Sequence, residues 1–313
     1  YDGGSSSTGL WAGAGTFTQG TSTLTLTGSS KTMTYRGNFN VNNLVINGQY
    51  TLSSVDETGR AVRVQGNTFT MDGDATVTSA ASQPIELFNS MAGGTLTFSA
   101  PSTNIANLTK LKTEHTSGTI SIPTCTTAFL RCGGSGGTTQ LAGSLTITDE
   151  LEVNDGTTFN ANGNTINCAK AVDCNGSGTL DLRNSSLIFT ADSGTYIMLD
   201  DTFNLLTGNT IIQGHTDVNN FYAPSDGGFE VVGTVENMNI ISQHSSQAGD
   251  LTVIGAVINC TSGVGSSSTV GDFIRQWHHT LDTQQLLDAD EAGDDDLRLT
   301  KPALDNALEL MTK

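Results

Sequence analysis

Two adjacent aspartates, Asp200-Asp201, and a Gly214-His215 pair downstream are the residues best equipped for chemistry in this 313-residue chain. Two carboxylates at one glycosidic bond can divide the work. One protonates the leaving oxygen while the other activates water or attacks the sugar. A second candidate is the acidic run from Asp288 to Asp294, in which Asp288, Asp290 and Asp294 alternate with small residues as oxygen ligands for calcium do.

The Asp-Asp and Gly-His pairs resemble the paired aspartates and Gly-His of the polygalacturonase-type glycosidases. Those enzymes also carry an Asn-Thr-Asp triplet upstream and an Arg-x-Lys triplet downstream. Neither stands at a suitable place here, and Thr216 follows His215 where the pattern has Gly. Lyase chemistry of the pectate type needs clustered aspartates with a basic proton acceptor, and Arg and Lys are scarce beside the acids. The calcium-like run has Ala292 and Leu299 where an EF-hand needs ligands. It reads as a solvated acidic turn. The expectation is no enzyme, no bound metal and no cofactor. An enzymatic alternative, polysaccharide cleavage, would rest on Asp200, Asp201 and His215.

The elements that would hold such residues are short strands. Thr23-Leu24-Thr25-Leu26-Thr27, Thr95-Leu96-Thr97-Phe98 and Ser144-Leu145-Thr146-Ile147-Thr148 alternate polar with apolar, the mark of half-buried strands. Asn47-Gly48, Asp72-Gly73, Asp155-Gly156, Asn175-Gly176 and Asp226-Gly227 read as the turns between them. A longer period lies over the alternation. Leu24, Leu44, Val64, Ile85, Ile105, Cys125, Leu145, Ile166 and Leu187 recur at about 20 residues, and Ile211, Val231 and Leu251 resume after a longer step. A second track follows Leu26, Ile46, Leu87, Ile147, Cys168 and Phe189, with Gly66 and Thr127 in two of its slots. Each repeat has room for three strands. The expected fold is therefore all-β, a single-stranded parallel β-helix of about 20 residues per coil. No coil can bury its apolar side alone, and stacking makes one continuous core.

Composition supports this. Charged residues make up 14% and aromatics 6%, with 36 glycines, against about 25% charged in an ordinary domain. The net charge of −18 repels phosphate backbones and anionic lipids, so neither nucleic acid nor membrane insertion is expected. Cys125, Cys132, Cys168, Cys174 and Cys260 include no C-x-x-C pair, which excludes zinc-ribbon and thioredoxin readings. Cys132 and Cys174 fall two coils apart, too far to bridge. Buried free thiols are expected, with a Cys125–Cys132 bridge around one bend as the alternative.

The division of the chain is expected to be an entry segment at 1–15, the β-helix at 16–265 and a helical segment at 271–313. Phe273, Ile274, Trp277 and Leu281 follow helical spacing. Thr300 reads as an N-cap with Pro302 in the first turn, and Leu304, Leu308 and Met311 share one stripe. Trp277, Leu281, Leu304, Leu308 and Met311 are the expected docking residues, covering the last coil or gripping a neighbour.

Three phrases carry a resemblance: Ser22 to Met33, Phe39 to Gly48, and Gly143-Ser-Leu-Thr-Ile-Thr-Asp-Glu-Leu-Glu-Val-Asn-Asp-Gly156. They are similar to coils in structural proteins of marine tailed phages and in secreted bacterial adhesins, over most of residues 16–265. The resemblance implies a virion fibre, spike or decoration protein, or an extracellular adhesin. It further implies a homo-oligomer, often trimeric, with other virion proteins held by the C-terminal segment and cell-surface glycans met by the rod.

Overall fold

The computed structural model describes residues 20–35, 38–54, 61–79, 85–89, 94–100, 106–191, 196–199, 203–215, 220–222, 228–241, 250–258, 261–263 and 275–277. Every regular element among them is a strand, and all pair in parallel within one 26-stranded sheet. The chain winds as a parallel β-solenoid with about 21 residues per turn.

Three strand segments make each turn, and stacked turns give three faces. The strand Thr23–Tyr35 supplies the first two segments, and Phe39–Val41 supplies the third. Asn43 then pairs with Thr23 and begins the next turn. Inside the first face, Ile120, Thr139, Phe159 and Leu180 stack in succession. Inside the second, Thr127, Ile147, Cys168 and Phe189 do so. Inside the third, Leu111, Leu130, Leu151 and Val172 are aligned. All but Thr127 and Thr139 are apolar, and all are buried. Because strand side chains alternate, each inward residue leaves its neighbours outward. The strand Leu145–Val153 shows this on both of its arms.

The bends explain one departure from the sequence reading. Asn47-Gly48 is not a turn between strands. It lies within the strand Asn43–Ser54 and folds it from the first face onto the second. Gly48 has φ of 145°, and a Cβ there would stand 1.7 Å from the Gly28 carbonyl oxygen of the turn before. Only glycine allows that approach. Asp72-Gly73 likewise falls within the strand Thr68–Ser79. Asp155-Gly156 and Asn175-Gly176 are turns as expected, and Asp226-Gly227 lies outside the described residues.

The fixed period holds in two stretches and fails between them. Leu24 pairs with Leu44, and Cys125, Leu145, Ile166 and Leu187 form one column. Leu44, however, pairs with Phe69, while Val64 pairs with Val41 and Leu87 on the third face. Longer turns there make a constant step of 20 cross from face to face. Farther on, Leu187 meets Ile212 rather than Ile211; Ile212 is buried and Ile211 is 41% exposed. Val231 pairs with Val253, and Leu251 with Phe229.

Trp277 also departs from expectation. Arg275–Trp277 is a strand paired with Val253–Gly255, so Trp277 continues the solenoid where the spacing suggested helix. Leu281, Leu304, Leu308 and Met311 lie outside the described residues, as does the segment 1–15. Cys125, Cys132, Cys168 and Cys174 are buried thiols outside any disulfide. No bridge joins Cys125 to Cys132, and Val153 separates Cys132 from Cys174 in the column. Burial pushes the Cys125, Cys132 and Cys168 thiols up to about 12, so they pack as small hydrophobes and are poor nucleophiles.

Candidate functional site

His215 is exposed just past the strand Thr210–Gln213. Asp200 and Asp201 lie outside the described residues, as do Asp288, Asp290 and Asp294. Among the described residues, no group of three or more His, Cys, Asp or Glu side chains could hold a metal ion. None of them forms a helix long and apolar enough to cross a membrane.

The surface that the described residues do build is a set of outward rows. On the first face, Thr95, Thr119, Thr138, Thr158 and Thr179 pair in succession with no register shift. Beside them run Thr97, Ser121, Gln140, Asn160 and Asp181. Successive rows are about 4.8 Å apart, and neighbouring columns about 6.7 Å apart along the strand. Threonine suits these positions twice over. Its branched side chain favours the strand, and its hydroxyl can both donate and accept a hydrogen bond. Both columns are uncharged until Asp181. Arg183 binds that carboxylate through two nitrogens at 2.9 and 2.6 Å and holds it below its ordinary range.

Asparagine secures the bend beside this face. Asn162 and Asn184 take left-handed conformations, φ 52° and 56°, which asparagine tolerates best after glycine. The Asn162 amide donates to the Leu141 carbonyl of the previous turn at 3.0 Å. Asn164 donates to the carbonyls of Ala161 and Asn162 at 3.0 Å each. These bonds absorb carbonyls that the bend removes from the strand ladder. The second face repeats the polar theme with Thr126, Thr146 and Asn167.

The third face is different. Its outward column is Asn40, Arg63, Glu86, Lys112, Arg131, Glu152 and Asp173. Arg63 meets Glu86 at 3.1 Å, Lys112 meets Glu114 at 2.5 Å and Arg131 meets Glu152 at 3.4 Å. Lys110 lies 4.5 Å above the Phe129 ring, in the range of a cation–π contact. Glu150 is held above the usual carboxylate range by burial and then by Asp173, Glu152 and Asp149, with Lys110 opposing.

Beneath this face the core admits polar groups. The Thr113 and Thr139 hydroxyls are 2.7 Å apart, and His115 Nε2 is 2.9 Å from Thr139. Burial lowers the His115 pKa to about 4, with Glu114 opposing the shift. The sequence reading missed both the charged column and His115. The charged column had a signal: Arg131, Glu152 and Asp173 recur every 21 residues. His115 had a signal in the alternation: with Leu111 inward, Thr113 and His115 fall on the same side while Lys112 and Glu114 point out.

No protein-family model, curated protein or solved structure matches this chain.

Proposed function

We propose that the chain is a non-enzymatic structural surface protein of a virus particle, a fibre, spike or decoration protein that displays a rigid β-solenoid. Its first face meets neutral cell-surface glycans. The observation that carries this reading is the pair of in-register, uncharged hydroxyl and amide columns from Thr95 to Asn160. A stacked parallel sheet fixes those groups before a ligand arrives, so little ordering entropy is lost on binding. Repetition along the axis suits a repeating polymer, because each further turn adds the same hydrogen bonds to a ligand already held.

Electron microscopy of the native source with gold-labelled antibodies against this chain tests the assignment. Gold at symmetric positions on capsids or tails is the expected result. Gold confined to bacterial cell walls would replace it with the adhesin reading, which uses the same face on a different carrier. Polysaccharide cleavage lost on Asp200→Asn or Asp201→Asn would replace it with a depolymerase.

A further inference from the structure

His115 ends the strand Ala106–His115, where the chain leaves the third face for the first, and it is fully buried. One turn later the chain rounds the same bend as Gly133-Gly134-Ser135-Gly136-Gly137, from the end of the strand Cys125–Gly134 into the strand Thr138–Leu141. This bend lies directly against the histidine. The Ser135 amide donates to the His115 carbonyl at 2.7 Å. A Cβ on Gly134 would stand 2.1 Å from that carbonyl oxygen, and a Cβ on Gly137 would stand 2.9 Å from His115 Nδ1. Across the ring, Nε2 lies 2.9 Å from the Thr139 hydroxyl, which in turn meets Thr113 at 2.7 Å. Cys132 joins the same group through Thr113 and Thr139. Nδ1 is buried and has no hydrogen-bond partner among the described residues.

The pocket fits a neutral ring. A neutral imidazole keeps one nitrogen bare, whereas imidazolium carries an N–H on both. Protonation sets that second donor at Nδ1, against the Gly137 backbone and with no acceptor. The charged groups around it offer no compensation. Glu114, on the same strand, is paired with Lys112, and Glu86, on the turn before, is paired with Arg63. On the turn after, burial keeps the Cys132 thiol protonated, and Arg131 is paired with Glu152. The strands Thr119–Ile122 and Thr138–Leu141 carry no titratable group. Four glycines in five residues also make the bend costly to hold in one conformation. We propose that His115 and this bend form an acid latch: protonation of the imidazole releases Gly133 to Gly137 from the core while the turns on either side stay stacked. Water then reaches Nδ1, and Cys132 is bared. Because the bend runs into Thr138, the same movement breaks the threonine row of the first face at that turn. The inference does not depend on what that face binds.

The experiment is thiol labelling of the full 313-residue chain with 4,4′-dithiodipyridine, which reacts with thiols in acid as well as at neutral pH. Mass spectrometry reads each cysteine separately, and Cys168, buried in the second face, is the internal control. The Cys132 rate relative to Cys168 is expected to rise about 100-fold from pH 7 to pH 4, as local opening frees a histidine whose pKa is about 4 in place and 6.5 when released. His115→Gln keeps a polar group toward Thr139 and removes the titration, so its ratio is expected to stay flat. Hydrogen exchange on the wild type reads the same event with no substitution. The Ser135 and Thr138 amides are expected to lose protection in acid while those of Leu151 and Val153 keep it. The proposal is overturned by a Cys132 as protected as Cys168 at pH 4, by Cys125, Cys132, Cys168 and Cys174 becoming reactive together, or by an acid dependence that His115→Gln retains.

Discussion

The first and third faces share one backbone and differ in where they put polarity. The first face stacks Ile120, Phe159 and Leu180 inward, with Thr139 as its one polar inward group in that column, and turns hydroxyls and amides outward. The third face turns a charged column outward and admits Thr113, His115 and Cys132 into the core beneath it. A parallel solenoid asks only that inward groups be apolar or hydrogen-bonded and that neighbouring outward groups tolerate one another. Outward composition is otherwise free. A sustained difference between two faces over several turns therefore reports what each face meets.

The largest expected effect breaks the comparison from the inside. Phe159 is fully buried in the first face, and Phe159→Ala should cost about 3–5 kcal/mol in denaturant unfolding. Cys132→Ala in the third face should cost about 1–2 kcal/mol, since it removes one buried sulfur. Equal losses would mean that the interior does not distinguish the two faces.

Acid acts on the third face through His115. Its folded pKa of about 4 lies below the ordinary 6.5, so the unfolded chain binds the proton first as pH falls. The stability tied to neutral His115 is complete above pH 6.5 and is lost as pH drops toward 4, by about 3 kcal/mol. Melting curves of the wild type and His115→Gln should converge across that window. Parallel curves would show that His115 takes no part.

Glu86 gives a smaller effect. It is 3% exposed and sits between Arg63 and Lys112 in the column. Glu86→Ala leaves two cations with no acid between them and should cost about 2 kcal/mol by chemical denaturation. The smallest effect belongs to the outward first face. Thr138→Ala should change stability by less than about 0.5 kcal/mol by the same measurement. A larger loss would make the threonine rows a device for folding rather than recognition.

Much of this architecture was readable in the residues. Alternation at Thr23–Thr27 and Thr95–Phe98 identified strands, and the recurrence of Cys125, Leu145, Ile166 and Leu187 identified the stacking. The threonine rows follow from the same alternation. What a fixed period could not supply was the length of each turn. Val64 fits the step of 20 after Leu44 and yet belongs to another face, because added residues at a bend change the step without changing the strand pattern. Trp277 misled for a related reason. Four apolar residues at helical spacing also suit a short strand and its flanks, and pairing with Val253–Gly255 decides between them. The charge order on the third face becomes visible only after register places Lys112 beside Arg131.

The most direct test of the recognition face is binding of the full chain to an array of cell-surface polysaccharides. Thr138→Lys with Thr158→Lys puts two charges in the middle of the first-face column, and Thr126→Lys with Thr146→Lys does the same on the second face. Loss of binding by about tenfold or more in the first pair, with less than about a twofold change in the second, is the predicted result. Equal binding by both pairs, or no polysaccharide bound by the wild type, would contradict a neutral recognition face on this rod.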